Sequence, residues 1–416
     1  MTTFFFFLAL VFGLLAYNLY HPAYRTLHMT TFSFLAGWLI GELALHHIIL
    51  QVIIVTLFVW NGSVTGFLGG LGFLVCITSW SAMAYFYLSS EVARENIEAG
   101  LQADLGFDYR SNINTSFRDK FPAAPNYEKI KDPRNNIDPG VEVIKNIPFG
   151  DHNQKLDIYK PRDNPGKCPV LLQIHGGAWT EKMGSKERQA IPLMSHMALR
   201  GWICASIDYR LCPSATFPEP VIDCKQGLVW VKHHIEEYGG NPQFIVVTGG
   251  SAGGQLSSLV ALTPNDPQFQ PGFESEDTTV QGAVPFYGVY DFTDSRKLQK
   301  NDGLKSVLES SIFKLSRDDH LDEYQQVSPL FRTTADAPPF LIVHGDKDSL
   351  VPIEEARVFA DELRQASNNP VAYAEISGGQ HAFDMFPSIR SEHVKHGVER
   401  FLTWVYSNHL QSAEKT

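Results

Sequence analysis

Phe244-Ile245-Val246-Val247-Thr248-Gly249-Gly250-Ser251-Ala252-Gly253-Gly254, running on into Gln255-Leu256-Ser257-Ser258-Leu259-Val260-Ala261-Leu262, decides how this chain is read. The first five residues are apolar or β-branched and predict a buried strand; the last eight predict a helix. Between them lies Gly-x-Ser-x-Gly, a sharp and strained strand-to-helix turn in which backbones approach too closely for most side chains. Such a turn holds a serine out at the end of the strand. It also aims the N–H of the next residue, Ala252, at the place where an oxyanion would develop. A Gly/Ser-rich loop is the bland alternative, and the remaining sequence decides between the two.

From Val141 onwards strand and helix patterns alternate. Glu142–Pro148 and Lys155–Tyr159 read as early strands, and Val170–Ile174, Ile203–Ile207, Gly282–Phe286, Phe340–Val343 and Val371–Ile376 as apolar strands. Helical periodicity fits Pro220–Tyr238, Ile353–Gln365 and Ile389–Asn408. Repeated alternation with apolar strands implies a mostly parallel, doubly wound sheet covered on both faces. No convincing strand falls in 288–335, the expected insertion carrying part of a substrate lid. The catalytic domain is expected at 141–411. Residues 89–140, with their prolines and asparagines, are expected to be an irregular linker or cap, apart from a helix at Glu91–Leu105.

Residues 1–90 hold two charges, Arg25 and Glu42, so the net charge of −11 belongs to the rest of the chain. An acidic remainder without a Lys/Arg block argues against nucleic-acid binding. The apolar runs Phe4–Tyr20, Thr31–Trp60 and Val64–Leu88 predict about three transmembrane helices within 1–88. Phe4–Tyr20 lacks a basic n-region and a clear cleavage site, which favours an uncleaved helix over a signal peptide. With three spans, Arg25 lies on the same side as Arg94, Arg110, Arg118 and Lys120, which favours a cytoplasmic catalytic part. Glu42, His46 and His47 interrupt the second run. Glu42 and His46 are spaced to share a helix face and a hydrogen bond; alternatively the run is two shorter segments with this cluster near an interface. The cysteines Cys76, Cys168, Cys204, Cys212 and Cys224 show no metal-ligand spacing and are expected to be unpaired buried thiols.

A serine nucleophile needs a base, an acid to orient that base, and N–H donors for the oxyanion. His381, in Gly378-Gly379-Gln380-His381 after the last strand, is the expected base. His393 and His396 fall inside the following helix and His409 at its end. His233 and His234 lie on a helix with acidic neighbours and read as solvated. The acid comes from His344-Gly345-Asp346-Lys347-Asp348-Ser349-Leu350-Val351-Pro352. Asp348 is preferred; Asp346, nearer the strand, is expected to turn the chain through its own side chain, and His344 to be structural. His175-Gly176-Gly177-Ala178-Trp179 follows the Val170–Ile174 strand. Its small residues suit a loop whose N–H groups face a cavity. Gly176, Gly177, Ala178 and Ala252 are therefore the expected oxyanion-hole residues, with Gly176 shaping the turn.

Together these motifs resemble the hormone-sensitive-lipase-like, His-Gly-Gly-x-Trp branch of the α/β-hydrolases over about residues 141–411. Asp208-Tyr209-Arg210-Leu211-Cys212-Pro213 and Phe217-Pro218…Asp223 are further matches. The membrane helices and the stretch from Ala215 to Asp294 look most similar to bacterial, actinobacterial-type membrane-associated carboxylesterases. Two positions depart from the branch: Gly250 replaces its usual aspartate, and Ala178 a glycine. The resemblance implies an α/β-hydrolase fold and a serine esterase or lipase in the bacterial plasma membrane. Its substrate would be a small short- to medium-chain or lipid-derived ester, with neither a metal nor an organic cofactor. The same residues suit an amidase, a peptidase or an isoprenylcysteine methylesterase; a non-catalytic binding module of this fold would usually have lost one of them.

Overall fold

The computed structural model describes residues 1–134 and 136–413; Asn135, in the irregular connection expected before the catalytic domain, lies outside them. The chain begins with helices α1 (Thr2–Tyr20), α2 (Leu27–Glu42), α3 (Ala44–Trp60) and α4 (Gly66–Ser89). α4 runs through a short 3₁₀ turn into α5 (Ala93–Leu105), so that Gly66–Leu105 forms one long element. This element and α1 are long and apolar enough to cross a membrane. The Thr31–Trp60 run forms two segments, the alternative raised by the Glu42, His46 and His47 interruption: it is broken at Leu43, where α2 and α3 meet with a bend of 92°. The break comes two residues after Gly41. α2 packs on α1 and reaches the domain that follows Val141, while α3 packs on α1 and α4.

The packing fixes how these helices run. Phe5 meets Gly72, Gly13 meets Val75, and the Tyr20 hydroxyl donates to Ala82 O at 2.7 Å, so α1 and α4 are parallel. Small residues allow this close approach. On α3, Phe58 meets Phe4 and Phe5, whereas Gln51 accepts from Trp80 Nε1 at 3.1 Å. α3 therefore runs opposite to its two neighbours.

Eight strands form one sheet: β1 (Val141–Phe149), β2 (Gln154–Pro161), β3 (Cys168–Ile174), β4 (Ile203–Ile207), β5 (Gly240–Gly250), β6 (Gly282–Phe286), β7 (Phe340–Gly345) and β8 (Val371–Ile376). Their order is β1-β2-β4-β3-β5-β6-β7-β8. The β1–β2 and β2–β4 pairs are antiparallel, and every later pair is parallel. Period-two alternation feeds both faces: Leu172 and Val247 join Leu256 and Phe359 in one core, whereas their neighbours Leu171 and Val246 join Met197 and Phe401 in the other. Covering helices are α6 (Ile191–Leu199), α7 (Glu219–His234), α8 (Ala252–Leu262), α9 (Ile353–Ala366) and α10 (Ile389–Ala413). Residues 288–335 contain only short helical turns. The five cysteines are buried and unpaired.

The helix expected at Glu91–Leu105, within the linker segment, is present as α5 and packs against the sheet. α5 contributes Ala93, Ile97 and Leu101 to the core beside β8, and Asn96 Oδ1 accepts from Ser377 N at 3.0 Å.

Candidate active site

β5 delivers Ser251 into α8 through the expected turn. Ser251 has φ +58°, and its N–H donates to Phe286 O at 3.0 Å. Gly253 must be glycine, since a Cβ there would stand 2.1 Å from Ile174 O on the adjoining strand. A Cβ at Gly250 would stand 2.7 Å from the Tyr287 hydroxyl. Tyr287 itself reaches Asp384 Oδ1 and lays its ring 4.7 Å from that of His381. The departure at Gly250 thus has a local physical reason: the space that a side chain there would take is filled by a tyrosine arriving after β6.

The loops after β7 and β8 bring the acid and base candidates to this serine. His381 Nε2 lies 2.8 Å from Ser251 Oγ, and His381 Nδ1 lies 2.7 Å from Asp348 Oδ2. Asp348 Oδ1 accepts from the N–H groups of Leu350 and Val351 at 2.8 and 2.9 Å. Burial alone would raise the pKa of Asp348, but the imidazoles of His381 and His344 outweigh it and hold the carboxyl well below the usual range. Asp346 is not in this chain of contacts. Its Oδ1 accepts from Gly378 N at 2.7 Å, so it joins the two loops rather than turning its own.

Two side chains around this line, Gln380 and Gln189, escaped the sequence reading, and His344 has the structural role expected of it. His344, 3.1 Å from Asp348 Oδ2 and 3.0 Å from Val351 O, braces the acid. Gln380 Oε1 accepts from both Ser349 N and His381 N, at 2.7 and 2.9 Å, tying the acid loop to the base loop. Gln189 Oε1 takes the Gly176 N–H at 2.5 Å. That last contact engages the Gly176 N–H, in keeping with the expectation that Gly176 shapes the turn rather than donating. Gly177, Ala178 and Trp179 all have positive φ, and among the described residues no hydrogen bond occupies the N–H groups of Gly177, Ala178 or Ala252. Strain kept over consecutive residues beside the Ser251 hydroxyl marks a functional loop. His175 is stacked on Tyr209 and buried, which pushes its pKa down to about 4.

The other histidines lie elsewhere: His393 pairs with Glu91, His233 with Glu276 and His234 with Glu237. Glu42 and His46 do not meet. The break at Leu43 sends Glu42 to Arg390 Nη1 at 2.5 Å and Ser388 Oγ at 2.6 Å, while His46 reaches Lys131 O.

Ser251 and His381 open into a cavity of about 340 Å³. Ala178, Trp179 and Met183 form one side, Val289 and Leu304 of the 288–335 segment another, and Phe34 and Leu35 of α2 a third. A larger depression, about 700 Å³, lies apart from Ser251 among Arg94, Arg110, Arg400 and Glu98. Two of its arginines are already paired with Glu98, at 2.6 and 3.1 Å.

The sequence pattern described as BD-FAE matches residues 156–363. The probable carboxylic ester hydrolase LipM of Mycobacterium tuberculosis is 52% identical over 272 residues, covering 64% of this chain and 62% of that protein. Esterase LipC of the same organism is 37% identical over 274 residues, covering 65% of this chain and 67% of LipC. The chain thus spans less than two thirds of the length of LipM. Among solved structures, the apo form of Thermogutta terrifontis esterase 2 aligns with a TM-score of 0.51 at 27% identity, covering 62% of this chain and 92% of that one.

Proposed function

The chain belongs to the BD-FAE family and has an α/β-hydrolase fold, and from that premise we propose that it is a membrane-anchored carboxylic ester hydrolase using Ser251, His381 and Asp348. The observation that carries this is the unbroken line from Asp348 Oδ2 through the imidazole to Ser251 Oγ, 2.7 and 2.8 Å long. Ser251 Oγ bonds to the acyl carbon while its proton passes to His381 Nε2. The carbonyl electron pair moves onto oxygen, where the N–H groups of Gly177, Ala178 and Ala252 receive it. The tetrahedral adduct then breaks its bond to the alcohol oxygen, and the alcohol leaves with the proton held by His381. Water attacks the acyl-serine with His381 as base, releasing the carboxylic acid and restoring the serine. Asp348 keeps the imidazole in the tautomer that presents an unprotonated Nε2 to the serine.

The motif His175-Gly176-Gly177-Ala178-Trp179 supports placement in the His-Gly-Gly-x-Trp, hormone-sensitive-lipase-like branch. The apolar α1, α3 and α4 support anchoring in a bilayer, here a bacterial plasma membrane. Because α1 and α4 run parallel, Arg25, Arg94, Arg110, Arg118 and Lys120 all lie at the end of the helices that carries the catalytic domain, which favours a cytoplasmic site. The test is covalent. A fluorophosphonate should label the purified chain at Ser251, and Ser251→Ala should lose both the label and hydrolysis of 4-nitrophenyl butyrate. Hydrolysis that survives in Ser251→Ala overturns the assignment.

A further inference from the structure

α2 is the feature that the catalytic reading leaves unexplained. It is apolar, though less so than its neighbours, and it lies at 92° to α3, on the side of the helices that carries the catalytic domain. One face is held there by specific contacts: the Trp38 indole N–H donates to Ala382 O at 2.9 Å, and Phe34 meets the ring of His381 edge-on at 5.8 Å. Glu42 at its end closes the ion pair with Arg390, in which both side chains are buried. Away from these contacts α2 exposes Met29, Phe32 and Leu39, and Leu35 at the pocket is partly exposed too. An apolar face of this kind, on a helix perpendicular to its spanning neighbours, is how a helix lies in a membrane interface.

We propose that α2 is an in-plane helix between the bilayer surface and the active site, and that an uncharged medium-chain ester enters the Ser251 pocket from the bilayer beside it. This rests on the ester-hydrolase reading above. Three observations carry it further. Leu27 and Leu35 of α2 and Met183 of the catalytic domain all line the pocket and are also solvent-exposed, at 46%, 44% and 61%, so the mouth is rimmed by apolar side chains from both parts. Lys300 is the one lysine, arginine or carboxylate in the lining, and it faces Glu354 at 3.2 Å, so nothing there is set to receive a charged chain. The cavity, about 340 Å³, has room for an acyl chain longer than butyryl. Asn301 pins the far end of the mouth, donating to Tyr24 O and Thr30 Oγ1 at 3.0 and 3.1 Å. The opening is therefore bounded by α2 and the 288–335 segment together.

The test uses the full chain reconstituted in phosphatidylcholine vesicles. Leu35→Trp should fill the mouth and lower the ratio of kcat/KM for 4-nitrophenyl decanoate over butyrate at least tenfold. Leu35→Ala, which enlarges the same wall, should shift the preference towards longer chains and decides the matter if the tryptophan variant does not fold. A second arm uses a fluorogenic decanoyl ester whose alcohol carries an octadecyl tail and so exchanges slowly between vesicles. Turnover should be confined to vesicles that hold both enzyme and ester. An unchanged chain-length ratio in the folded Leu35 variants, or equal rates for ester in separate vesicles, overturns the proposal. Failure of the wild-type chain to take the fluorophosphonate label or to hydrolyse butyrate overturns instead the ester-hydrolase reading beneath it.

Discussion

The Trp38 indole N–H donates to the carbonyl oxygen of Ala382 at 2.9 Å, joining the second helix of the chain to the residue that follows His381. Ala382 has φ +60°, and the contact helps to hold this left-handed turn in place. Trp38 also stacks on Phe386 at 5.0 Å, so removing only the N–H keeps most of the packing. A hydrogen bond of this kind is worth about 0.5–1.5 kcal/mol net. Trp38→Phe should lower kcat/KM for butyrate ester by roughly 2–10-fold, with a larger loss in Trp38→Ala. Steady-state kinetics on the reconstituted chain check this.

The acid has a different signature. Asp348→Asn preserves shape but stabilises the wrong imidazole tautomer, and should lower kcat by about 10⁴. The corresponding change at Asp346, which joins loops and touches neither histidine nor serine, should cost far less. Stopped assays on both variants, with fluorophosphonate labelling rates alongside, would separate them. Equal losses would mean that the acid has been misassigned.

Glu42 and Arg390 are both essentially inaccessible, and each is the other's charge partner. Breaking such a pair from one side typically costs about 3–5 kcal/mol, because the remaining charge is left buried. Glu42→Leu should therefore loosen α2 from the catalytic domain and lower the thermal midpoint in detergent. The double variant Glu42→Leu/Arg390→Met should recover a substantial part of the loss. Thermal scans of the three variants supply the cycle.

Glu355, on α9, accepts from Tyr290 N at 3.1 Å and from Gln299. Burial, reinforced by nearby Asp291 and Asp294, pushes its carboxyl up to about 8 despite the Tyr290 N–H. Its pKa is thus higher folded than unfolded, so the folded chain binds the extra proton between the ordinary glutamate value and about 8. This group's contribution to stability is complete below that window and is lost as pH rises through it. Glu355→Gln should match the wild type near pH 4 and exceed it at pH 8, by a gain on the order of 1 kcal/mol or ~2–4 °C. Melting curves across that range would show whether the difference grows with pH.

Much of the catalytic domain was legible from its sequence, for identifiable reasons. Six of the eight strands are built on apolar runs bounded by glycine, proline or charged turns, and the parallel order from β3 to β8 follows from the helices between them. Ser251, His381 and Asp348 each sit at a strand end, where local pattern and chemistry coincide. What escaped depended on partners remote in sequence. Gln380 looks like an ordinary loop residue until the two loops meet. Gly250 looks like a deviation until Tyr287 arrives beside it. Helix α6 was missed; it begins Ile191-Pro192 after a left-handed Ala190 and is almost wholly buried, leaving no polar face to give a period. The polar cluster at Glu42, His46 and His47 offered a break in the second apolar run, but not the 92° bend, which depends on what each half packs against.

The close fit of α5 on β8 bears on how the catalytic domain can be handled. β8 is the last strand of the sheet, and α5 approaches it so nearly that a Cβ at Gly100 would stand 2.4 Å from Tyr373 O. A fragment cut at Val141 to discard the apolar helices would also discard this cover. It would leave a bare strand edge ready to pair with its own copies. Solubility of the enzyme fragment is therefore gained by keeping Ala93–Leu105, not by trimming to the start of the sheet.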